Sequence, residues 1–235
     1  MIRLHDVSKT WHSPAGAFTA LRSVDLEVAR GEFVAIVGRS GSGKSTLLGL
    51  IAGLDRPSSG TVTVQGTSPH TLGEARLAAW RAATVGVVFQ SFQLLPTLTV
   101  AENVMLPMDL LGTRPSRQRR AHALELLARV GIAEQAHKLP LTLSGGQQQR
   151  AAIARALAND PAVITADEPT GNLDSATGAA VFALLRELAD CATTVLIATH
   201  ERAVPGIDRT IELVDGVIVR AAETARGASE AAGGA

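Results

Sequence analysis

The chain has 235 residues, 46% of them hydrophobic, with 22 Gly and 10 Pro. That composition excludes collagen-like and wholly disordered chains and supplies enough apolar surface for a packed core, in one large or two small domains. Lys plus Arg and Asp plus Glu each number 22, so the net charge is zero, which removes the electrostatic case for a dedicated nucleic-acid binder.

In chain order, the first nine residues carry charges every few positions and have no apolar stretch of the signal-peptide kind. Val24, Leu26 and Val28 alternate with Asp25 and Glu27, the pattern of a half-buried strand. Residues 33–37 form a continuous apolar run, the mark of a strand buried on both faces of a parallel sheet. A glycine- and serine-rich loop at 38–46 follows, then helical character over 47–54, then a short alternating strand at 61–65. That apolar block at 47–54 is the longest in the chain, far short of the roughly 18 residues of a membrane span. These features predict a soluble cytoplasmic protein that meets a membrane only through a partner.

From Ser91 to Leu143 turn signals gather at Pro96, Pro107, Pro115 and Pro140, around one amphipathic helix at about 116–130. The stretch reads as a helical insert. Alternation then resumes: a helix from 144 to about 158, a strand at 162–166, a helix at about 176–188 and a strand at 194–198. Cys191, the one cysteine, excludes an internal disulfide or cysteine zinc cluster and reads as a small half-buried hydrophobe. Ile211 and Leu213 face Val217 and Val219 across Asp215-Gly216, a strong hairpin signal. Residues 221–235 lack periodicity and are expected to be a disordered tail. Alternating strands and helices imply a mainly parallel α/β sheet, whose ligands bind beyond the carboxyl ends of its strands. The loops after Val37, Phe89, Ala166 and Ala198 are therefore the places where chemistry is expected.

Gly38, Arg39, Ser40, Gly41, Ser42, Gly43, Lys44 and Ser45 fit G-x-x-x-x-G-K-[ST], between a buried strand and a helix. The glycines let several backbone N–H groups converge on one phosphate, and the helix N-terminus adds positive potential. Lys44 supplies a charge to the β- and γ-phosphates and Ser45 a hydroxyl to Mg²⁺. Asp167 and Glu168 end an apolar strand; Asp167 suits the magnesium shell and Glu168 the polarisation of an attacking water. A third group opens a helix: Ser144 with Gln147 makes a capping box, S-x-x-Q, enclosing Gly145 and Gly146. Two glycines in a first turn cost about 1 kcal/mol each against alanine, so something is expected to approach that backbone closely. A second helix N-terminus with open N–H groups is a second phosphate site.

The phosphate loop, the Leu143-Ser-Gly-Gly-Gln147 signature and Asp167-Glu168, in this order, resemble the ATP-binding subunit of an ABC transporter, over about residues 1–220. The resemblance implies the ABC ATPase fold: a mainly parallel core, an antiparallel β subdomain and a helical subdomain at about 91–155. It also implies a head-to-tail dimer, each ATP lying between the phosphate loop of one chain and the signature of the other. Ser144, Gly145, Gly146, Gln147 and Asp174 would then act in trans, with Asn172-Leu173-Asp174 crossing the dimer interface. Gln90 matches the glutamine that touches Mg²⁺ and couples to the membrane partner, and His200 the switch histidine at the γ-phosphate. Thr46 closes the nucleotide-binding loop. Trp11 stands at the aromatic position that stacks on adenine, where Tyr is commoner. Arg39, Thr165 and Glu201 depart from the usual residues without removing a catalytic group.

The string Ala166–Asp174 resembles the macrolide-exporter, lipoprotein-release and cell-division branch. That branch implies ATP and Mg²⁺ as ligands, an integral membrane permease and a second copy of the chain as partners, no nucleic acid, and a position on the inner face of the membrane. Two outputs share every site residue: powering export or extrusion, or gating a membrane complex of the cell-division kind with nothing transported. The cluster Arg114, Arg117, Arg119 and Arg120 reads as a solvated helix face, with contact to lipid headgroups or a permease as the alternative.

Overall fold

The computed structural model describes residues 1–14, 16–112, 114–171, 173–201 and 204–224. Two sheets organise the chain. Strands β1 (Ile2–Ser13), β2 (Gly16–Val28) and β4 (Ser59–Val64) form an antiparallel sheet in the order β2-β1-β4. The second sheet takes β3 (Phe33–Val37), β5 (Val85–Val88), β6 (Val163–Asp167), β7 (Thr194–Thr199), β8 (Arg209–Val214) and β9 (Val217–Glu223) in the order β5-β6-β7-β3-β8-β9. All its pairings are parallel except β8 with β9.

The apolar run 33–37 does what its continuity predicts. Phe33, Ala35 and Val37 join one core with the helices α3 (Val100–Leu111), α4 (Ser116–Arg129), α5 (Gly145–Leu157) and α6 (Ser175–Asp190). Val34 and Ile36 point the other way, into a second core with the antiparallel sheet and α1 (Lys44–Ile51). The period of two thus sends one strand into both cores. Asp215 and Gly216 both take positive φ, 48° and 81°, as the two-residue hairpin turn between β8 and β9 requires.

Several expectations change. Helix α1 begins at Lys44, so Lys44, Ser45 and Thr46 form its first turn rather than the end of a loop. Two helices, α2 (Glu74–Thr84) and α3, were not read from sequence, and Pro107, a turn signal by sequence, lies inside α3. A mid-helix proline costs about 3 kcal/mol. Complete burial of Val100, Val104 and Met108 offsets that, at about 1.5–3 kcal/mol each. A capping box between Thr99 and Glu102 fixes the start of α3.

Cys191 is exposed, not half-buried: it is the C-cap of α6, two residues past the last buried position, Ala189. Strand β9 runs to Glu223, so the first residues of the expected tail pair with β8; residues 225–235 lie outside the described ones. In the arginine cluster Arg114 and Arg119 are half-buried and paired, with Asp160 and with Asp109 at 2.8 Å, while Arg117 and Arg120 are exposed, so only part of the expected solvated face is one. Among the described residues no helix is long and apolar enough to cross a membrane.

Candidate functional site

The phosphate loop leaves the carboxyl end of β3 and turns into α1 through Gly43, at φ 106°. Only glycine fits there. A Cβ would lie 2.5 Å from the Ala20 carbonyl oxygen, besides the strain of that φ. No side chain caps this helix, so its first-turn N–H groups are left for a ligand. The buried Lys44 folds back over the loop, donating to the carbonyls of Gly38 at 2.8 Å and Arg39 at 3.1 Å. Arg39 therefore serves the loop through its backbone, which also accepts from the Ser42 N–H at 3.2 Å; its side chain is exposed. The Ser42 hydroxyl is buried without a hydrogen-bond partner, an orphaned polar atom inside the loop. Ser45 and Ser40 are exposed at the rim.

Beside the loop, two strands converge. The order β6-β7-β3 places Asp167 opposite Ala198 on β7, and Thr199 opposite Val37 on β3. Asp167 thus ends two strand spacings from the start of the loop, about 10 Å across the sheet. Glu168 leaves the strand with φ 46°, a left-handed conformation uncommon outside glycine. Its N–H donates to the Ala198 carbonyl at 2.9 Å, which holds the turn. Its carboxylate Oε2 lies 3.0 Å from Nδ1 of His200, the residue after β7. Asp167 is thus the last residue of β6, and Glu168, expected to end the strand with it, lies just outside. Glu201 has a defined place as well, accepting from the Thr170 hydroxyl at 2.9 Å. Gln90, after β5, is exposed.

The signature group lies elsewhere, in the helical part. Ser144 Oγ accepts from the Gln147 N–H at 3.3 Å, and Gln147 Oε1 from the Ser144 N–H at 3.0 Å, closing the capping box. A Cβ at Gly146 would come within 2.6 Å of Thr177 Cγ2. The close approach expected at these glycines is thus met within the chain, by α6. Thr177 in turn donates its hydroxyl to Asp174 Oδ2 at 2.7 Å and its N–H to Asp174 Oδ1 at 3.0 Å. Asp174 is the N-cap of α6, and those two bonds hold its carboxyl below the ordinary carboxylate value. Asn172, expected beside it, lies outside the described residues.

Three contributors were missed at the sequence level. Arg155, on the signature helix α5, donates to the carbonyls of Phe92 at 2.7 Å and Gln93 at 2.5 Å. Both residues are left-handed, with φ 58° and 53°, so the guanidinium pins a strained turn just after Gln90. Burial pushes Arg155 below the ordinary arginine pKa. Asn103, fully buried, accepts from the Leu95 N–H and donates to the carbonyls of Leu95, Leu98 and Thr99. Lys9 sits 4.2 Å from the centroid of Trp11. Arg155 reaches a turn more than sixty positions away, which local sequence cannot show, whereas Asn103 serves carbonyls only four to eight residues before it. Trp11 itself lies on β1 opposite Phe18.

A cleft of about 870 Å³ opens near the amino ends of β3 and β8, away from the phosphate loop. Two ion pairs line it, Arg209 with Glu32 at 2.7 Å and Arg3 with Glu27 at 2.7 Å, and it lies at the opposite end of the strands from the phosphate loop. Among the described residues no three His, Cys, Asp or Glu side chains cluster to hold a metal by themselves.

The family pattern described as ABC transporter matches residues 21–171. An ABC transporter ATP-binding protein of Thermotoga maritima is 50% identical over 200 residues, 85% of each chain. The lipoprotein-releasing system ATP-binding protein LolD of Bacteroides thetaiotaomicron is 43% identical, over 93% of this chain and 99% of its own. The macrolide export ATP-binding/permease protein MacB 1/2 of Paracoccus denitrificans is 46% identical over 93% of this chain, which spans 33% of that longer protein. Among solved structures, the ATP-binding cassette MJ0796, dimeric in a post-hydrolysis state with ADP and Pi, superposes with a TM-score of 0.89 at 42% identity, covering 95% of this chain and 98% of that one.

Proposed function

This chain belongs to the ABC transporter family of ATP-binding proteins, and from that premise we propose that two copies close head to tail on Mg-ATP to drive a membrane permease outside these 235 residues. The chain is an ABC ATPase by family and fold. One observation carries the residue roles: the phosphate loop, Glu168 and His200 converge at the carboxyl ends of three adjacent strands, β3, β6 and β7.

Residues 38–46 wrap the phosphates with backbone N–H groups, and Lys44 exchanges its carbonyl partners for β- and γ-phosphate oxygens. The donor set fits magnesium, which holds to proteins through one or two carboxylates and the substrate's own phosphates. Ser45, Gln90 and Asp167 would hold it, and when bound it neutralises charge on the transferring phosphoryl group. Glu168 orients the attacking water and takes its proton. His200 spends Nδ1 on Glu168, leaving Nε2 as the nitrogen that meets the γ-phosphate. Trp11 stacks on adenine. Ser144, Gly145, Gly146, Gln147 and Asp174 serve the nucleotide of the opposite copy.

The output is best read as export or extrusion of the kind for which MacB and LolD are named, with this chain at the inner membrane face through its permease. No feature of the described residues favours the gating output over it. The test is Glu168→Gln. We predict that turnover falls by about 10²–10⁴-fold while ATP binding persists and an ATP-trapped dimer elutes on size exclusion. Wild-type turnover, or a chain that stays monomeric with ATP, would falsify the assignment.

A further inference from the structure

We propose that Lys9 is the positioning residue of the base platform: a buried ammonium that holds one face of the Trp11 ring and leaves the other for the adenine. The proposal rests on the assignment of Trp11 to the base.

Lys9 and Trp11 are two residues apart on β1 and so share a face. Their exposures are opposite: 9% for Lys9, 46% for Trp11. Lysine is almost never buried unless paired, and this one is held on three sides. Its Nζ donates to Asp55 Oδ1 at 2.7 Å and to the Arg56 carbonyl at 2.8 Å, and lies 4.2 Å from the ring centroid. Asp55 is fixed in turn, since the same Oδ1 accepts from the Arg56 N–H at 2.7 Å.

Both oxygens belong to the segment that follows α1, the helix whose other end is the phosphate loop. Lys9 therefore ties the ring to the element that grips the phosphates. The strand ladder points to the same place. Lys9 pairs with Leu21 but Thr10 with Thr19, an irregularity that leaves Ala20 unpaired, and the Ala20 carbonyl is the atom that crowds Gly43. Trp11, opposite Phe18, follows immediately.

A cation on one face of an indole is attracted by the ring quadrupole and fixes the ring plane. Only the other, exposed face remains for a base. Such a platform reads no base edge, because every nucleobase has a π face to offer. Loss of Lys9 should therefore weaken ATP and GTP alike and leave the chemical step untouched.

The experiment uses the full chain carrying Trp80→Phe, so that Trp11 is the one remaining tryptophan of two. Quenching of Trp11 by added ATP, and a raised KM in Trp11→Ala, test the base assignment. Lys9→Met should then raise KM for ATP and for GTP about three- to tenfold, hold kcat within about twofold, and make Trp11 more accessible to acrylamide. Asp55→Asn keeps the cation and loosens its tether, and should move KM in the same direction by less. Unchanged KM and acrylamide quenching in Lys9→Met overturn the proposal while the base assignment stands. So does a KM that moves only with loss of folded protein while Asp55→Asn leaves KM alone. If ATP leaves Trp11 fluorescence unchanged and Trp11→Ala keeps its KM, the base assignment falls and the proposal with it.

Discussion

The phosphate loop and the signature are both helix tips that open on glycine, yet the chain finishes them in opposite ways. At Gly43 no side chain caps α1, and Lys44 rests on two carbonyls it can leave. At Ser144 the capping box already answers two of the donors that a phosphate would need. An uncapped tip is ready for an anion in the isolated chain; a self-capped tip must exchange its internal bonds for the ligand's. The difference teaches that one copy presents free donors at one helix tip and occupied donors at the other, which is what the proposed head-to-tail site would need to reconcile. It also shows why a glycine at each tip means something different: Gly43 leaves room for a turn and a carbonyl, Gly146 for Thr177 of the same chain.

The sharpest way to break that contrast is to disable each tip in turn. Lys44→Ala is expected to weaken nucleotide binding by the monomer about 10- to 100-fold, the value of a charge-assisted bond. Ser144→Arg should leave monomer affinity within about threefold and abolish hydrolysis, since donors of this kind are worth about 10²–10³ in turnover. Calorimetric titration with nucleotide and a phosphate-release assay separate the two. Equal losses of affinity in both variants would mean that the tips are not divided between copies.

A smaller effect concerns what Gly146 is for. Gly146→Ala gains about 1 kcal/mol of helix propensity but overpacks Thr177 at about 1–3 kcal/mol. Thermal unfolding should show a net destabilisation in the native background and a net stabilisation when Thr177→Ser removes the methyl. The same sign in both backgrounds would show that Thr177 is not the constraint.

The smallest is a titration. The Asp174 carboxyl is held below its usual value of 3.8 by the Thr177 hydroxyl and N–H. A carboxylate depressed in the folded state contributes stability that is complete above the unfolded value and fades as pH falls through the folded one. Thr177→Val removes the hydroxyl donor, so the Asp174 pKa should rise toward 3.8 and the cap should fail earlier on acidification. NMR titration of the carboxyl carbon reads this directly; an unmoved pKa would assign the depression to the backbone N–H alone.

What was legible in the sequence was local. The five-residue apolar run announced a strand buried on both faces, G-x-x-x-x-G-K-S a phosphate loop, S-x-x-Q a capped helix, and Asp215-Gly216 a hairpin, because each is set by contacts within a few residues. The misses share the opposite cause. Pro107 argued against a helix that burial of Val104 and Met108 then enforced. Cys191 read as half-buried by residue type, but its place past the end of α6 put it in solvent. The clamp of Arg155 on Phe92 and Gln93 joins residues more than sixty positions apart, which no local window can show.

The sequence by itself therefore determined the chemistry on offer: a phosphate-loop motif, two carboxylates at a strand end, a capped glycine-rich helix tip, and the family to which their order points. Only the tertiary structure decided their accessibility and partnership. The strand order β6-β7-β3 brought Glu168 to His200 and both to the phosphate loop, and the packing of α6 on α5 filled the space at Gly146. The physical reason is that hydrogen-bonding capacity is a property of each residue, whereas the partner that satisfies it is chosen by the sheet order and the core that the whole chain must close together.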